Sequence, residues 1–401
     1  MAQPLAGIVV ADFSHVMAGP FASHLLRLLG ATVIKIEEPT RGDAMRYYGD
    51  DRRYDGMAPA FIGVNAGKKS IALDLKDPGD LEIARQIVRR SDVLLENFRP
   101  GVMLRLGLDY AAVESLNPEI VYCSVSGYGQ TESTYRDWPA IDNIVQATSG
   151  MMSLGGQPGD PPVRVGFPVV DTLTGQTAAF AILAALLRRE RSGGGEFIDV
   201  AMFDATLAFM TSAIVPLLVT GKALRRTGNV GYSGQPTSGV FVASDGRMVS
   251  LGVVQQRQFE ALADCLGRRD WLEDDRYATP DQRRAHAEVL HDELSGIFAT
   301  RPAADWEAEM SAIGIPCGMA REVGEAARFP HLDSRRVKLP LEIDGLPDRA
   351  AVEIVNAGFL MSEDGPGVDE PPPRLNEHRD EVLAWLARAG QDLSRRRRTR
   401  E

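Results

Sequence analysis

Residues Val163 to Asp204 read VRVGFPVVDTLTGQTAAFAILAALLRRERSGGGEFIDVAMFD, and this stretch constrains the fold more than any other. Thr177 to Leu187 contain almost nothing polar, the pattern of a helix buried on every side. An apolar run from Val165 to Val170 leads into it and delivers one carboxylate, Asp171, to its mouth. Thr172 and Thr174 are placed to cap the first turn. Arg188, Arg189 and Arg191 suit the negative C-terminal end, and Gly193-Gly194-Gly195 stops the helix. An acid at the start of a core helix would be kept ionised by the helix dipole and the free backbone N–H groups, to serve either as a nucleophile or as a cap.

The segments before this helix alternate strand and helix. Gly7 to Asp12 predicts a buried strand, Pro20 to Leu29 a helix with proline in its first turn, and Thr32 to Ile36 a second strand. Ser70 to Leu75, Asp92 to Glu96 and Ile120 to Val125 continue the strands, with a helix from Gly79 to Arg90 and another element from Gly101 to Leu106. That alternation predicts an α/β fold with a doubly wound, mostly parallel, Rossmann-like sheet. The first strand-to-helix loop, Phe13 to Gly19, reads FSHVMAG and lacks the glycines that bring a dinucleotide pyrophosphate to the backbone. The chain changes character near Gly221. The loop TGNVGYSGQPTSG, two short strands around Val240 and Met248 and an Asp245-Gly246 hairpin signal predict a smaller α+β domain. We therefore expect a large domain from 1–220 and 331–401 and a second domain over 221–330. A final helix is expected from Arg379 to Ala389, and then a disordered basic tail, SRRRRTRE.

Several chemistries are excluded. A net charge of -11 argues against a nucleic-acid surface or an anionic membrane, and no run reaches the ~18 apolar residues of a membrane span. The cysteines, Cys123, Cys265 and Cys317, show no paired spacing, so no disulfide framework or zinc site is indicated and a reducing cytoplasm is expected. His286 and His291 lack the spacing of a zinc protease, and Gly231-Tyr232-Ser233-Gly234-Gln235 has Gln where a nucleophile elbow needs glycine. No metal is expected. What remains is chemistry on carboxylates, amides, glycines and scattered basic residues.

Five or more segments occur together in an order that resembles the family III CoA-transferases. They are Asp12 to Asp43 (DFSHVMAGPFASHLLRLLGATVIKIEEPTRGD), Lys68 to Pro78 (KKSIALDLKDP), Ser91 to Tyr110 (SDVLLENFRPGVMLRLGLDY), Val169 to Gln176 (VVDTLTGQ) and Gly193 to Ala205 (GGGEFIDVAMFDA). The glycine-rich loop near Gly234 and Ile313 to Gly318 (IGIPCG) follow. The resemblance implies that Asp171 attacks an acyl-CoA thioester to form an acyl-aspartyl anhydride, then an aspartyl-CoA thioester that passes CoA to a second carboxylic acid. Coenzyme A is then a substrate, and no resident cofactor is implied. Backbone N–H groups around Gly231 and Gly234 are candidates for oxyanion stabilisation, against the plainer reading of a tight turn.

For coenzyme A, the resemblance points to His15, Val16 and Ala18, to Leu73 and Lys76, to Asn97 and Phe98, and to Arg105. Lys76 and Arg105 would meet phosphates and Phe98 the adenine. Glu38 stands where some members carry a phosphate-binding arginine, so Arg41 or Arg46 would substitute. Met17 stands where relatives acting on formate and oxalate place Gln, and Tyr48 stands near their aromatic lid residue. Arg46, Arg52 and Arg164 are candidates to pair with a distal substrate carboxylate. The family also implies an interlocked homodimer. Two other readings stay open: an epimerase of 2-methylacyl-CoA, whose proton-accepting histidine would here be Ile141, and a catalytically silent acyl-CoA binding protein.

Overall fold

A computed structural model describes residues 3–347 and 351–398, the last ten by backbone alone. The chain divides into two compact units, one comprising residues 1–152, 164–223 and 330–401, the other 153–163 and 224–329. Ser153 to Val163, read above as part of the large domain, groups with the second unit.

In the first unit the strands are β1 (Val9–Asp12), β2 (Thr32–Glu37), β3 (Lys69–Ala72), β4 (Val93–Glu96), β5 (Val121–Ser126) and β6 (Glu196–Ala201). The helices up to β6 are α1 (Ala18–Leu28), α2 (Pro59–Asn65), α3 (Pro78–Arg89), α4 (Val102–Leu106), α5 (Tyr110–Leu116), α6 (Asp142–Thr148) and α7 (Val169–Ser192), and α8 (Met202–Phe209) and α9 (Thr211–Thr220) follow it. The six strands are all parallel, in the order β3-β2-β1-β4-β5-β6. Side chains alternate across this sheet. Val10, Val33, Val93, Leu95, Val121 and Cys123 pack on one face with α1 and α7. Ala11, Ile34, Leu94 and Tyr122 pack on the other with α3, α5 and the C-terminal helix, Arg379–Arg398. That last helix continues past its predicted end at Ala389, and the final three residues of the basic tail lie outside the described residues.

The strand order reverses direction between β1 and β4, so their carboxyl ends diverge into a crevice, the usual ligand position of a doubly wound sheet. A further antiparallel pair, Lys338–Glu342 with Ala351–Val355, packs on α2 and was not foreseen from sequence. The second unit contains a three-stranded antiparallel sheet, with Ser238–Val242 and Met248–Gly252 joined through Asp245-Gly246 and Cys317–Met319 beside them. Helices surround it, with Phe241, Leu251, Phe259, Trp271, Leu294 and Trp306 in its core.

The central helix is α7, and it corrects the expectation of burial on every side. Val170, Leu173, Thr174, Ala178, Ile182, Ala185 and Leu186 are buried, at the spacing of one helical face. Phe180 is 75% exposed and Leu187 50% on the opposite face, and α9 contains no buried residue at all. By length and composition α7 is apolar enough to cross a membrane, but half of its most apolar 18-residue stretch is buried within the protein. It stops where Gly193 takes a positive φ of 70°. Gly175 sets the approach of α7 to α1: a Cβ there would sit 2.6 Å from the Ala18 carbonyl oxygen and 3.0 Å from the Phe21 ring. Backbone cannot yield as a flexible side chain would. Gly175→Ala is expected to lower stability by about 1–3 kcal/mol in urea unfolding, as overpacking does, and an unchanged midpoint would contradict this contact.

Candidate active site

Asp171 is the third residue of α7 and is half-buried. The first turn is not capped by Thr172 or Thr174. Thr172 Oγ1 donates back to the Pro168 carbonyl at 2.9 Å, and Thr174 Oγ1 is buried without a partner. The cap comes from Asp142, the first residue of α6. Its Oδ2 accepts from the N–H of Val170 at 2.7 Å and of Asp171 at 3.2 Å, and its Oδ1 accepts from Gln146 Nε2 at 2.6 Å. Gln146 Oε1 in turn accepts from Val165 N–H at 2.9 Å, tying down the segment that enters α7.

This cap reverses the expected electrostatics of Asp171. Burial, and then the neighbouring Asp142 charge, push its carboxyl up from 3.8 to about 7, rather than holding it fully ionised. Asp142 has already taken up the N–H groups that would have favoured an anion.

A cavity of about 490 Å³ lies in front of Asp171, lined also by His15, Val16, Ala18, Asn97, Phe98 and Arg136, with Tyr48 and Arg164 at its wall. A second, of about 860 Å³, is lined by His15, Leu73, Lys76 and Phe98 together with Val102 and Leu106 of α4. His15 and Phe98 border both, their rings 5.3 Å apart. Two spaces with a shared wall suit a long ligand with two chemically different ends.

The structure thus brings most of the sequence-predicted residues to the carboxyl ends of β1, β3 and β4 and assigns some of them new tasks. Asn97 clamps the loop: its Oδ1 accepts from His15 N–H and its Nδ2 donates to His15 carbonyl, both at 2.9 Å. Val16 holds a φ of 65°, a strained value for a β-branched residue, and its N–H donates to the Asp43 carboxylate at 3.0 Å. That N–H is therefore spent. Ala18 opens α1, which has no side-chain cap, and lines the Asp171 cavity, so the start of that helix borders it. Burial keeps the His15 imidazole below its ordinary range and hence neutral at pH 7.

Other residues fall elsewhere. Arg105 is exposed on α4, and the guanidinium of Arg41 lies 4.4 Å above the Tyr47 ring instead of lining either cavity. Arg46 is buried and fully engaged, with Nη2 2.6 Å and Nε 2.8 Å from the Glu37 carboxylate and Nη1 donating to the Gly56 and Pro373 carbonyls, so it is free for no ligand. Arg52 is exposed and pairs with Asp55. Gly231 and Gly234 belong to the second unit, and both N–H groups donate within that unit, to Ser238 and Gly231 carbonyls at 2.6 and 2.9 Å. In this conformation neither is an available oxyanion donor.

Beneath the β1 loop lies a charge network that sequence reading missed. Asp12 pairs with Lys68 at 3.2 Å, Asp43 with Lys35 at 2.9 Å and Glu37 with Arg46 at 2.6 Å, all six buried. Lys35 Nζ also donates to the Ser14 carbonyl at 2.8 Å. Burial alone would raise Asp12, but Lys68 and Lys35 outweigh it and lower the carboxyl below its ordinary value. The signal was in the sequence, as charged residues inside apolar strands, with no way to read their partners.

The model of CoA-transferase family III matches residues 5–379. The acetyl-CoA:oxalate CoA-transferase of Acetobacter aceti is 40% identical over 357 residues, 86% of this chain and 90% of that protein. The succinate–glutarate CoA-transferase of Agrobacterium fabrum is 34% identical, over 96% of both chains. Among solved structures, a CAIB/BAIF family protein from Brucella suis superposes with a TM-score of 0.84 at 30% identity, covering 96% of this chain and all of that one.

Two measurements test this geometry. Asp171→Asn, which never carries the charge, is expected to be more stable than the parent. The gain should grow as pH rises from about 4 to 7, where the parent carboxyl is forced to ionise, and level off above. Melts at pH 5 and 8 showing equal gains would contradict the raised pKa. Asp142→Ala should cost about 0.5–2 kcal/mol through loss of the α7 cap, and should lower the Asp171 pKa in an NMR titration.

Proposed function

The chain belongs to CoA-transferase family III and is a CoA-transferase; from that premise we propose that it moves CoA between small dicarboxylic acids through covalent intermediates on Asp171. The observation that carries this reading is Asp171, a half-buried carboxylate on a cavity also lined by Asn97 and Arg136, beside a second and larger space lined by Lys76, Leu73 and Phe98. The larger space suits the nucleotide end of CoA, with Phe98 against the adenine, and the smaller one the acyl end.

In the first step an Asp171 oxygen attacks the thioester carbonyl, the C–S bond breaks, and CoA leaves as a thiolate. The thiolate then attacks the aspartyl carbonyl of the anhydride, releasing the donor acid and leaving CoA on Asp171. The acceptor carboxylate repeats these steps in reverse. Each addition creates an oxyanion, and the uncapped N-terminus of α1 at Ala18 offers it N–H donors and the positive end of a helix dipole. The acids named for the relatives, oxalate and succinate with glutarate, motivate the dicarboxylate class. The epimerase reading lacks the histidine it implies at this position, because Ile141 lines the cavity there. The exposed apolar faces of α7 and α9 are what an interlocked homodimer would cover, and we include that assembly and a cytoplasmic setting in the proposal.

Incubation with succinyl-CoA, borohydride reduction and mass analysis should find a reduced aspartyl residue at Asp171 in the parent and none in Asp171→Asn. Transfer should fall on the order of 10³-fold or more in that variant, and undiminished exchange would sink the mechanism. Because the nucleophile must be ionised, kcat/KM should rise with pH through about 7 and then level.

A further inference from the structure

The cavity at Asp171 is lined by a cation, Arg136, that pairs with no carboxylate among the described residues. Arg136 lies between β5 and α6 and lines this cavity, yet its Nε is buried without a hydrogen-bond partner and it forms no ion pair among the described residues. A buried donor on a charged group is unfavourable until an acceptor arrives. The carboxylate of Asp142 is not its partner: it is held by the α7 cap and Gln146 and forms no ion pair with Arg136. Asp171 is the reacting group. The other cations differ: Arg46 is spent on Glu37, and Arg99 and Arg164 line the cavity but are exposed to water. The remaining wall here, Trp138, Pro139 and Ile141, is apolar. An acyl chain could lie along it and end at a planar guanidinium whose geometry matches a carboxylate.

We propose that Arg136 binds the distal carboxylate of the acyl group whose thioester carbon meets Asp171, and so selects dicarboxylic over monocarboxylic acids of the same length. This rests on the transferase reading for the placement of the thioester, but recognition itself precedes any chemistry. A monocarboxylic acyl group would offer the guanidinium no acceptor, and an unpaired polar group in the pocket discriminates more strongly than a missing methylene.

The test compares glutaryl-CoA with valeryl-CoA, which have the same chain length but differ in the distal charge. Binding is measured by calorimetry in an Asp171→Asn background, where no covalent step intervenes, and transfer to glutarate and to valerate is measured with Asp171 intact. Arg136→Gln should weaken glutaryl-CoA binding by roughly 10- to 100-fold and leave valeryl-CoA binding unchanged, and Arg136→Lys should retain part of the preference. Equal losses for both thioesters, no loss for either, or no preference in the protein with Arg136 intact would each overturn the proposal. If the preference depends on Arg136 but no acid is ever loaded with CoA, the transferase mechanism fails while the carboxylate site stands. Should Arg136→Gln not fold, Arg136→Lys in the same binding comparison decides.

Discussion

The site depends on the contact of α7 with α1 at Gly175. There a bare Cα lies against the Ala18 carbonyl at a distance no side chain would tolerate. Ala18 is the first residue of α1, and Asp171 lies one helical turn before Gly175, so this contact also places a helix N-terminus beside the carboxylate. Both helices pack on the same sheet face, through Ala18, Ala22 and Leu26 on one and Ala178, Ile182 and Ala185 on the other. Small residues at the crossing bring the axes close. The position of Asp171 relative to the start of α1 is thereby set by close-packed core.

The second constraint is electrostatic. The loop carrying His15 and Val16 is irregular and strained at Val16, and it is held by groups that are themselves buried charges. Asp12, Glu37 and Asp43 are matched by Lys35, Arg46 and Lys68, so the network is neutral as a set. Its remaining valences go to Ser14, Ser23, Ser70 and backbone carbonyls. Such a set gives little net stability, but removing one member leaves an unpaired buried charge at about 3–5 kcal/mol. Through the Asp43–Val16 and Lys35–Ser14 bonds it holds the loop that forms the wall the two cavities share.

Much of this fold was legible in the sequence, for identifiable reasons. Buried parallel strands are apolar runs punctuated by helix signals, and β1, α1, β2, α3 and β4 all lay within a few residues of where periodicity placed them. His15, Asn97 and Phe98, to which the family resemblance pointed, lie at the carboxyl ends of the strands, where a doubly wound sheet places its ligands. What failed were judgements of partnership. The cap on α7 comes from Asp142, 29 residues before Asp171, whereas local reasoning offered the adjacent threonines. Arg46 looked like a surface cation available to a ligand and is one of the most buried side chains in the protein. The exposed side of α7 was hidden because an apolar face looks the same in sequence whether it meets its own core or another surface. Composition reports that a group is present, while only the tertiary arrangement says which partner has claimed it.

The raised pKa of Asp171 bears directly on the proposed chemistry. Holding its carboxylate charged costs on the order of 4 kcal/mol relative to water, the equivalent of moving a carboxyl from 3.8 to about 7. At neutral pH the group still spends about half its time ionised, so the price of activation is small at the working pH. Both proposed covalent states, the anhydride and the aspartyl thioester, are neutral at this position. The cost imposed by burial and by Asp142 is therefore present only in the free enzyme and disappears when the bond forms. A fully solvated aspartate would be a stable leaving carboxylate, and its acyl derivatives would lie further uphill. By placing the cap on α7 and the negative charge beside the nucleophile in one side chain, Asp142 would bring the free and loaded forms of the carrier closer in energy, which is what a reversible exchange between similar acids requires.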